Sequence, residues 1–161
     1  MAEVKNILLS GVGGQGIILA SKILATGLIN AGYDVKMSEV HGMAQRGGSV
    51  TTQVRFGEKV YSPIIGKGQA DVLVSFETME TGRWLDYVKP EGIVVINDFE
   101  IGSAPILMGV AEYPEGVIEY IQEHAKETIV MKAADLAVEL GNVRTMNVII
   151  VGALIKVLDL E

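Results

Sequence analysis

Residues 6–16 read NILLSGVGGQG, and this stretch decides the fold. Its first half is mostly apolar, as in a buried strand of a parallel sheet. Its second half places glycine at all three positions of the pattern G-x-G-x-x-G, and residues 17–31 continue with helical periodicity. A strand, a glycine loop and a helix in this order predict the first unit of a Rossmann-like α/β fold.

Strand and helix patterns alternate along the rest of the chain. Strands are predicted at 33–39, 49–56, 71–76, 92–97 and 128–132, and helices at 77–88, 115–126, 133–140 and 145–158. Residues 49–56 alternate apolar and polar side chains, so a turn at 57–58 and a return over 59–62 predict a β-hairpin. We therefore predict one domain over 1–161, with a three-layer fold, a mostly parallel sheet, helices on both faces and an inserted β-hairpin. The pattern leaves the conformation of 99–110 open.

Composition excludes several classes of function. The 161 residues contain 13 basic and 20 acidic side chains, and the net charge of −7 argues against nucleic acid or an anionic membrane as the partner. The chain has no cysteine, so it cannot ligate an iron–sulfur cluster through thiolates or offer a thiolate nucleophile. Its two histidines are far apart in sequence, and we predict no metal site. The first residues lack a signal-peptide pattern, so we expect a cytoplasmic protein.

The glycine loop at 11–16 is a candidate phosphate site. Glycines let a phosphate approach the backbone, and a helix N-terminus offers unpaired N–H donors. The loop is not that of an NTPase, because Ile17 and Ile18 replace the required lysine and hydroxyl residue. Two alternatives remain open. The loop forms a tight crossover without a ligand, or it binds NAD, with Glu39 on the ribose.

A second glycine-rich segment, residues 38–49, reads SEVHGMAQRGGS. It follows the second predicted strand, at the edge where ligands bind in such sheets. Arg46 is placed either to fork onto a phosphate or carboxylate, or to remain an ordinary solvated arginine. We interpret His41 as a hydrogen-bonded loop residue and keep it out of the catalytic candidates.

Polar residues at predicted strand ends have two interpretations. Either they line the same crevice as the glycine loop or they cap helices and turns, and we favour capping for Ser75, Glu77, Asn97 and Asp98. Asn147 lies in an apolar helix and either bonds back toward the first loop or is an ordinary first-turn residue. The helices predicted at 17–31 and 145–158 have little polar surface. Periodicity alone favours a core helix at 145–158, whereas two such helices in a small domain are also typical of apolar surface buried against a partner subunit.

The two glycine-rich segments together resemble a known family. The pairing of GVGGQG at 11–16 with SEVHGMAQRGG at 38–48 is similar to the gamma-type subunit of 2-oxoacid:ferredoxin oxidoreductases. Within this family, the sequence looks like the small, beta subunit of the indolepyruvate enzymes. Residues 70–77 and 141–148 also look like family segments, so the resemblance covers nearly the whole chain.

The resemblance implies a subunit of an enzyme that oxidatively decarboxylates a 2-oxoacid, an arylpyruvate for this branch, to acyl-CoA. Thiamine diphosphate and [4Fe–4S] clusters are expected in a larger partner subunit, and ferredoxin as the electron acceptor of the complex. This chain would support assembly and coenzyme A access, with no complete catalytic set of its own, and a homodimer is an option for the isolated chain. The alternative is a purely structural subunit. The residues expected at the ligand- or partner-facing edge are Gly11, Gly13, Gly14, Gln15, Gly16, Arg46, Gly47 and Gly48.

Overall fold

The computed structural model describes residues 4–42 and 47–160. Its strands are β1 (Lys5–Val12), β2 (Asp34–His41), β3 (Ser49–Gly57), β4 (Ala70–Ser75), β5 (Val88–Asn97) and β6 (Glu127–Met131). Its helices are α1 (Ile17–Asn30), α2 (Thr78–Trp84), α3 (Ala104–Leu107), α4 (Val117–His124), α5 (Ala133–Glu139) and α6 (Met146–Val157). A 3₁₀ turn at Leu85–Tyr87 ends the helix predicted at 77–88, and the segment 99–110, left open by the sequence, contains α3.

The strands form one mixed sheet in the order β2-β3-β1-β4-β5-β6. Strands β1, β4, β5 and β6 pair in parallel, whereas β3 is antiparallel to both of its neighbours, β1 and β2. Five strands therefore run in one direction and one runs against them. Their carboxyl ends meet at a single edge of the sheet, and the predicted α/β class with a mostly parallel sheet is confirmed.

The predicted partner of β3 is wrong. Residues 59–62 do not return as a strand; instead β2 pairs with β3, from Asp34 opposite Gly57 to His41 opposite Val50. The backbone N–H of Val60 donates to the Asp34 carboxylate at 3.0 Å, which holds this segment across the end of the β2–β3 pair. Alternation along 49–56 shows that β3 needs a partner, but it does not show which segment provides it.

The sheet buries both of its faces. Along the central strands, successive residues point to opposite sides, so Ile7 and Leu9 pack in one core and Leu8 in the other. The first core lies under α1 and α6, which contribute Leu24 and Leu154. The second core lies under α2 and α4; its fully buried residues include Leu73, Ile96 and Ile121. The prediction of helices on both faces is thus confirmed. No helix in the described ranges is long and apolar enough to cross a membrane.

Asp34 should make the stability of the fold depend on pH. Its ion pair and hydrogen bond with Lys36, together with the Val60 N–H, lower the pKa of Asp34 from 3.8 to about 2. Because the folded pKa is depressed, the stabilisation is present above about pH 4 and is lost as the pH falls toward 2. We expect the stability difference between the natural chain and Asp34→Asn to shrink over this range in urea titrations. A difference that stays constant from pH 5 to pH 2 would contradict this assignment.

Candidate functional site

The candidate site lies at the carboxyl edge of the sheet, between β1 and β4. The chain leaves β1 for α1 on one face and leaves β4 for α2 on the other. Such a reversal opens a crevice outside the strand ends, where α/β proteins bind their ligands. The glycine loop at 11–16 lies in this position.

Three glycines of the loop are required by its local structure. Gly14 and Gly16 have φ angles of +100° and +82°, in the left-handed region that other residues rarely adopt. Gly11 has no room for a side chain, since a Cβ there would lie 2.9 Å from the Cβ of Phe76. The sequence pattern therefore corresponds to a tight crossover with exposed backbone at its tip.

Gln15 bonds to the protein itself through both ends of its amide. Its Oε1 accepts from the backbone N–H of Val12 at 2.8 Å, and its Nε2 donates to the carbonyl of Phe76 at 2.8 Å. The side chain thereby fastens the glycine loop to the residue that follows β4. Its contact with a ligand or partner stays a prediction.

The ends of β1, β4 and β5 are joined by buried polar side chains. Ser10 and Ser75 share a hydrogen bond of 2.9 Å between their hydroxyls. Asn97 donates to the Phe76 carbonyl at 3.2 Å and accepts from the N–H of Ala133 at the start of α5. These residues hold the strand ends together rather than lining an open crevice.

The second glycine-rich segment meets the first. The N–H of Gly13 donates to the carbonyl of Gly48 at 2.9 Å, and Gly47 has a φ of +77°. The structure therefore brings together Gly13 and Gly48, two of the predicted site residues. Arg46, with the rest of 43–46, lies outside the described residues, so its predicted role stays a prediction.

A buried carboxylate anchors the start of β3. The Ser49 hydroxyl donates to Glu80 Oε2 at 2.6 Å, and Glu80 Oε1 lies 3.2 Å from Arg83 Nε. Sequence reasoning missed this link. The sequence contains one indication of it. Glu80 stands three positions after the predicted cap Glu77, at the N3 position of α2, where glutamate is typical of a helix start.

Glu77 caps α2, as the favoured interpretation predicted, and its carboxylate is fully buried. Its Oε2 accepts from the N–H of Glu80 at 2.8 Å, and its Oε1 accepts from the N–H of Ile101 at 3.2 Å and from the Tyr113 hydroxyl. Burial and the hydrogen bond to Glu77 raise the pKa of Tyr113 well above its usual value. This group is positioned for capping, not for proton transfer to a ligand.

Two clefts flank the glycine loop. The β2-side cleft, of about 430 Å³, is lined by Val12, Gly13, Gly14, Gly16, Ile17, Ile18, His41 and Val50. The α6-side cleft, of about 690 Å³, is lined by Gly14, Gln15, Gly16, Leu19, Phe99, Ala134, Asp135, Val138, Val143, Arg144, Met146 and Asn147. Both volumes are in the range of small-molecule sites.

The strand order disfavours the NAD alternative. Because β3 lies between β1 and β2, Glu39 is two strands away from the glycine-loop strand, a separation of about 10 Å. A ribose held at the loop needs its acidic partner on the neighbouring strand. Within residues 4–42 and 47–160, no three His, Cys, Asp or Glu side chains are grouped so that they could hold a metal ion.

Comparison with known proteins identifies the family. The family model described as pyruvate ferredoxin/flavodoxin oxidoreductase matches residues 6–161. The indolepyruvate oxidoreductase subunit IorB of Pyrococcus horikoshii is 43% identical over 152 residues, covering 92% of this chain and 75% of the relative. The family expected from the two glycine-rich segments is thereby confirmed.

Solved structures share the fold. The pyruvate oxidoreductase subunit PORC of Thermotoga maritima has a TM-score of 0.69 and 21% identity, over 96% of this chain and 76% of its own. The 2-oxoglutarate:ferredoxin oxidoreductase of Magnetococcus marinus, solved with 2-oxoglutarate, coenzyme A and succinyl-CoA bound, has a TM-score of 0.70 and 22% identity, over 95% of this chain and 24% of its own. The chain therefore belongs to the pyruvate ferredoxin/flavodoxin oxidoreductase family, among the subunits of 2-oxoacid:ferredoxin oxidoreductases.

Proposed function

We propose that this chain is the small subunit of a thiamine diphosphate- and ferredoxin-dependent oxidoreductase that converts a 2-oxoacid of the arylpyruvate class to acyl-CoA. The observation that carries the proposal is the 43% identity to an indolepyruvate oxidoreductase subunit over 92% of the chain. In this proposal the chain supports assembly and coenzyme A access, and the larger partner subunit contains the redox groups.

The residues of this chain suit that division of roles. No cysteine is present to ligate an iron–sulfur cluster. Thiamine diphosphate supplies the carbanion chemistry of such enzymes, and the protein supplies position and electrostatics. At the carboxyl edge, Gln15 and Ser49 fix two glycine-rich segments against the sheet, where Gly13 bonds Gly48. A rigid glycine edge of this kind fits a role in admitting and orienting a phosphate-bearing cosubstrate.

Coenzyme A is the ligand that fits this edge. The helix α1 begins at Ile17, directly after Gly16, without a side-chain cap and without an acidic residue in its first turn. Gly14 has nothing within 4 Å of the position where a Cβ would lie, so the backbone there is open to a ligand. Exposed N–H groups at a helix start favour an anion such as a phosphate group over an uncharged acyl group.

Apolar surface on α1 and α6 supports the assembly role. Leu19 and Ile23 on α1 and Val148 and Ile155 on α6 are between 38% and 57% exposed. The two helices pack side by side, so these side chains form a shared apolar face. Exposed apolar areas of this kind are typical of subunit interfaces. We propose that the larger subunit covers this face, and that the isolated chain pairs with a second copy in its absence.

The chain alone should not oxidise any 2-oxoacid, because the proposal places thiamine diphosphate and the clusters in its partner. We expect anaerobic affinity purification from the native source to recover a large second subunit with a brown iron–sulfur spectrum and bound thiamine diphosphate. Arylpyruvate oxidation should require both subunits, CoA and an electron acceptor. Turnover by the purified single chain, or a colourless and partner-free preparation under conditions that keep a known complex intact, would refute the proposal.

A further inference from the structure

We propose that residues 98–116 form a docking segment for the larger partner subunit, with an apolar tip that enters a socket rimmed by basic residues. The docking segment joins the end of β5 to α4 and contains α3. It is separate from the apolar face of α1 and α6, because both of its ends are bonded to the start of α2. The identity of the partner rests on the proposed function, whereas the surface itself is argued from its structure and its charge.

The docking segment is fixed at both ends. At its first end, the Ile101 N–H donates to Glu77 Oε1 at 3.2 Å, and the Phe99 carbonyl accepts from the Thr78 N–H at 3.0 Å. At its second end, the Tyr113 hydroxyl donates to the same Glu77 oxygen. One buried carboxylate thus holds the two ends together, as in a compact surface loop.

Internal hydrogen bonds set the conformation between these ends. The Leu107 N–H donates to the Ser103 carbonyl at 2.9 Å, and the Val110 N–H donates to the Pro105 carbonyl at 2.9 Å. Gly109, between them, has a φ of +71°, in the left-handed region that favours glycine. The tip is therefore formed before any partner binds, which lowers the conformational entropy lost on binding.

The tip presents large apolar side chains to solvent. Leu107 and Val110 are each 78% exposed, and Met108 is 70% exposed. Single exposed apolar side chains are common on protein surfaces, but a group of neighbouring ones marks a surface that another protein covers. Three such side chains on a loop held by its own hydrogen bonds favour insertion into a partner.

The charge around the tip indicates the chemistry of that partner. Residues 98–123 contain six acidic side chains and no basic one: Asp98, Glu100, Glu112, Glu115, Glu119 and Glu123. Elsewhere in the chain, 14 acidic side chains are nearly balanced by 13 basic ones, so this region supplies almost all of the net charge of −7. Four of the six line one cleft of about 540 Å³, so they share a surface. A partner of complementary potential is basic around the socket.

A second copy of this chain does not fit the docking segment. Two copies of the acidic region repel each other. Outside residues 98–123 the sequence has no excess of basic side chains to receive the segment. The partner at this surface is therefore a different polypeptide.

The position of the docking segment favours the larger subunit as this partner. The segment leaves β5 at the carboxyl edge of the sheet, and Phe99 near its start lines the α6-side cleft beside the glycine loop. A subunit that brings its redox groups to this edge also comes next to the docking segment.

The test is the affinity of the full chain for the larger subunit that co-purifies with it, measured as association and dissociation rates at low and at high salt. Leu107→Ser should weaken binding at least about thirtyfold, as expected of an apolar side chain buried at the centre of an interface. The matched control is Tyr61→Ser. Tyr61 is 88% exposed and lies in the segment 59–62, at the amino edge of the sheet, so its loss should leave the affinity unchanged. Both variants should unfold at the temperature of the natural chain, because both side chains are exposed.

The acidic rim is tested by removing two charges. Glu112→Gln together with Glu115→Gln should slow association about fivefold at low salt and make the rate less dependent on salt, because charges at the rim act mainly on the association rate. Glu58→Gln with Glu91→Gln makes the same change in net charge at exposed positions on the amino edge, and should leave the rate nearly unchanged. An association rate that does not fall as salt is added would overturn the assignment of a basic rim.

The outcomes separate the docking segment from the proposed function. Equal affinity of the natural chain and Leu107→Ser for the larger subunit would overturn the docking segment and leave the proposed function standing. A larger subunit that binds with the expected dependence on Leu107, but carries neither thiamine diphosphate nor an iron–sulfur cluster, would support the docking segment and contradict the proposed function. The absence of any co-purifying subunit, under conditions that keep a known complex intact, would overturn both.

Discussion

Replacing Glu77 by alanine should lower the free energy of unfolding by about 3–4 kcal/mol, among the largest effects expected of a single substitution here. The carboxylate is fully buried and accepts from the N–H groups of Glu80 and Ile101 and from the Tyr113 hydroxyl. Alanine removes the cap of α2 and leaves the other two donors without their acceptor. Urea unfolding followed by circular dichroism measures the loss.

Two further variants grade this effect. Glu77→Gln keeps the size of the side chain but replaces one carboxylate oxygen by an NH2 group, which then faces N–H or O–H donors. It should therefore also lower the free energy of unfolding, by about 1–3 kcal/mol. Tyr113→Phe removes only the hydroxyl, and should cost about 1–2 kcal/mol, since Met79 N–H then loses its acceptor. A Glu77→Ala chain as stable as Tyr113→Phe would show that the carboxylate contributes little beyond that one bond.

Local patterns predict most of the fold. The apolar runs at β1, β4 and β5 and the glycines around them have strong signals, because a strand buried on both faces is apolar at nearly every position. The pairing of β3 could not be predicted in the same way. Its alternation identifies a strand, but the pairing with β2 rather than with residues 59–62 is a long-range contact, and residues 59–62 instead lie across the end of the pair, where the Val60 N–H donates to the Asp34 carboxylate.

The candidate site is predictable only in part. The sequence identifies the glycine loop because Gly14 and Gly16 need a left-handed backbone that few residues adopt. It does not show that Gln15 bonds inward to Val12 and Phe76, because a glutamine has no local pattern that fixes its partners. Arg144 and Ser49 were missed for a similar reason. Each is an ordinary polar residue in sequence and gains its place only when α6 and β3 pack beside the loop.

Replacing Gly11 by alanine should lower the free energy of unfolding by about 2–4 kcal/mol. A Cβ at this position would lie 2.7 Å from Ile17 Cδ1, 2.8 Å from Gln15 Oε1 and 2.9 Å from Phe76 Cβ. The first two are ends of side chains and can move, although Gln15 then gives up its bond to Val12. The Phe76 Cβ cannot move in this way, because it is attached directly to buried backbone. The end of β1 must therefore shift away from β4.

Gly27→Ala is the matched control for Gly11→Ala. Gly27 lies within α1, and nothing approaches within 4 Å of the position of its Cβ. The same added methyl should therefore stabilise the chain by about 0.5–1 kcal/mol, because alanine favours the helix. Thermal and urea unfolding of the two variants should shift in opposite directions. Equal stability of Gly11→Ala and the natural chain would mean that β1 and β4 can separate at their carboxyl ends without cost, and that the glycine loop is not held rigidly at this edge.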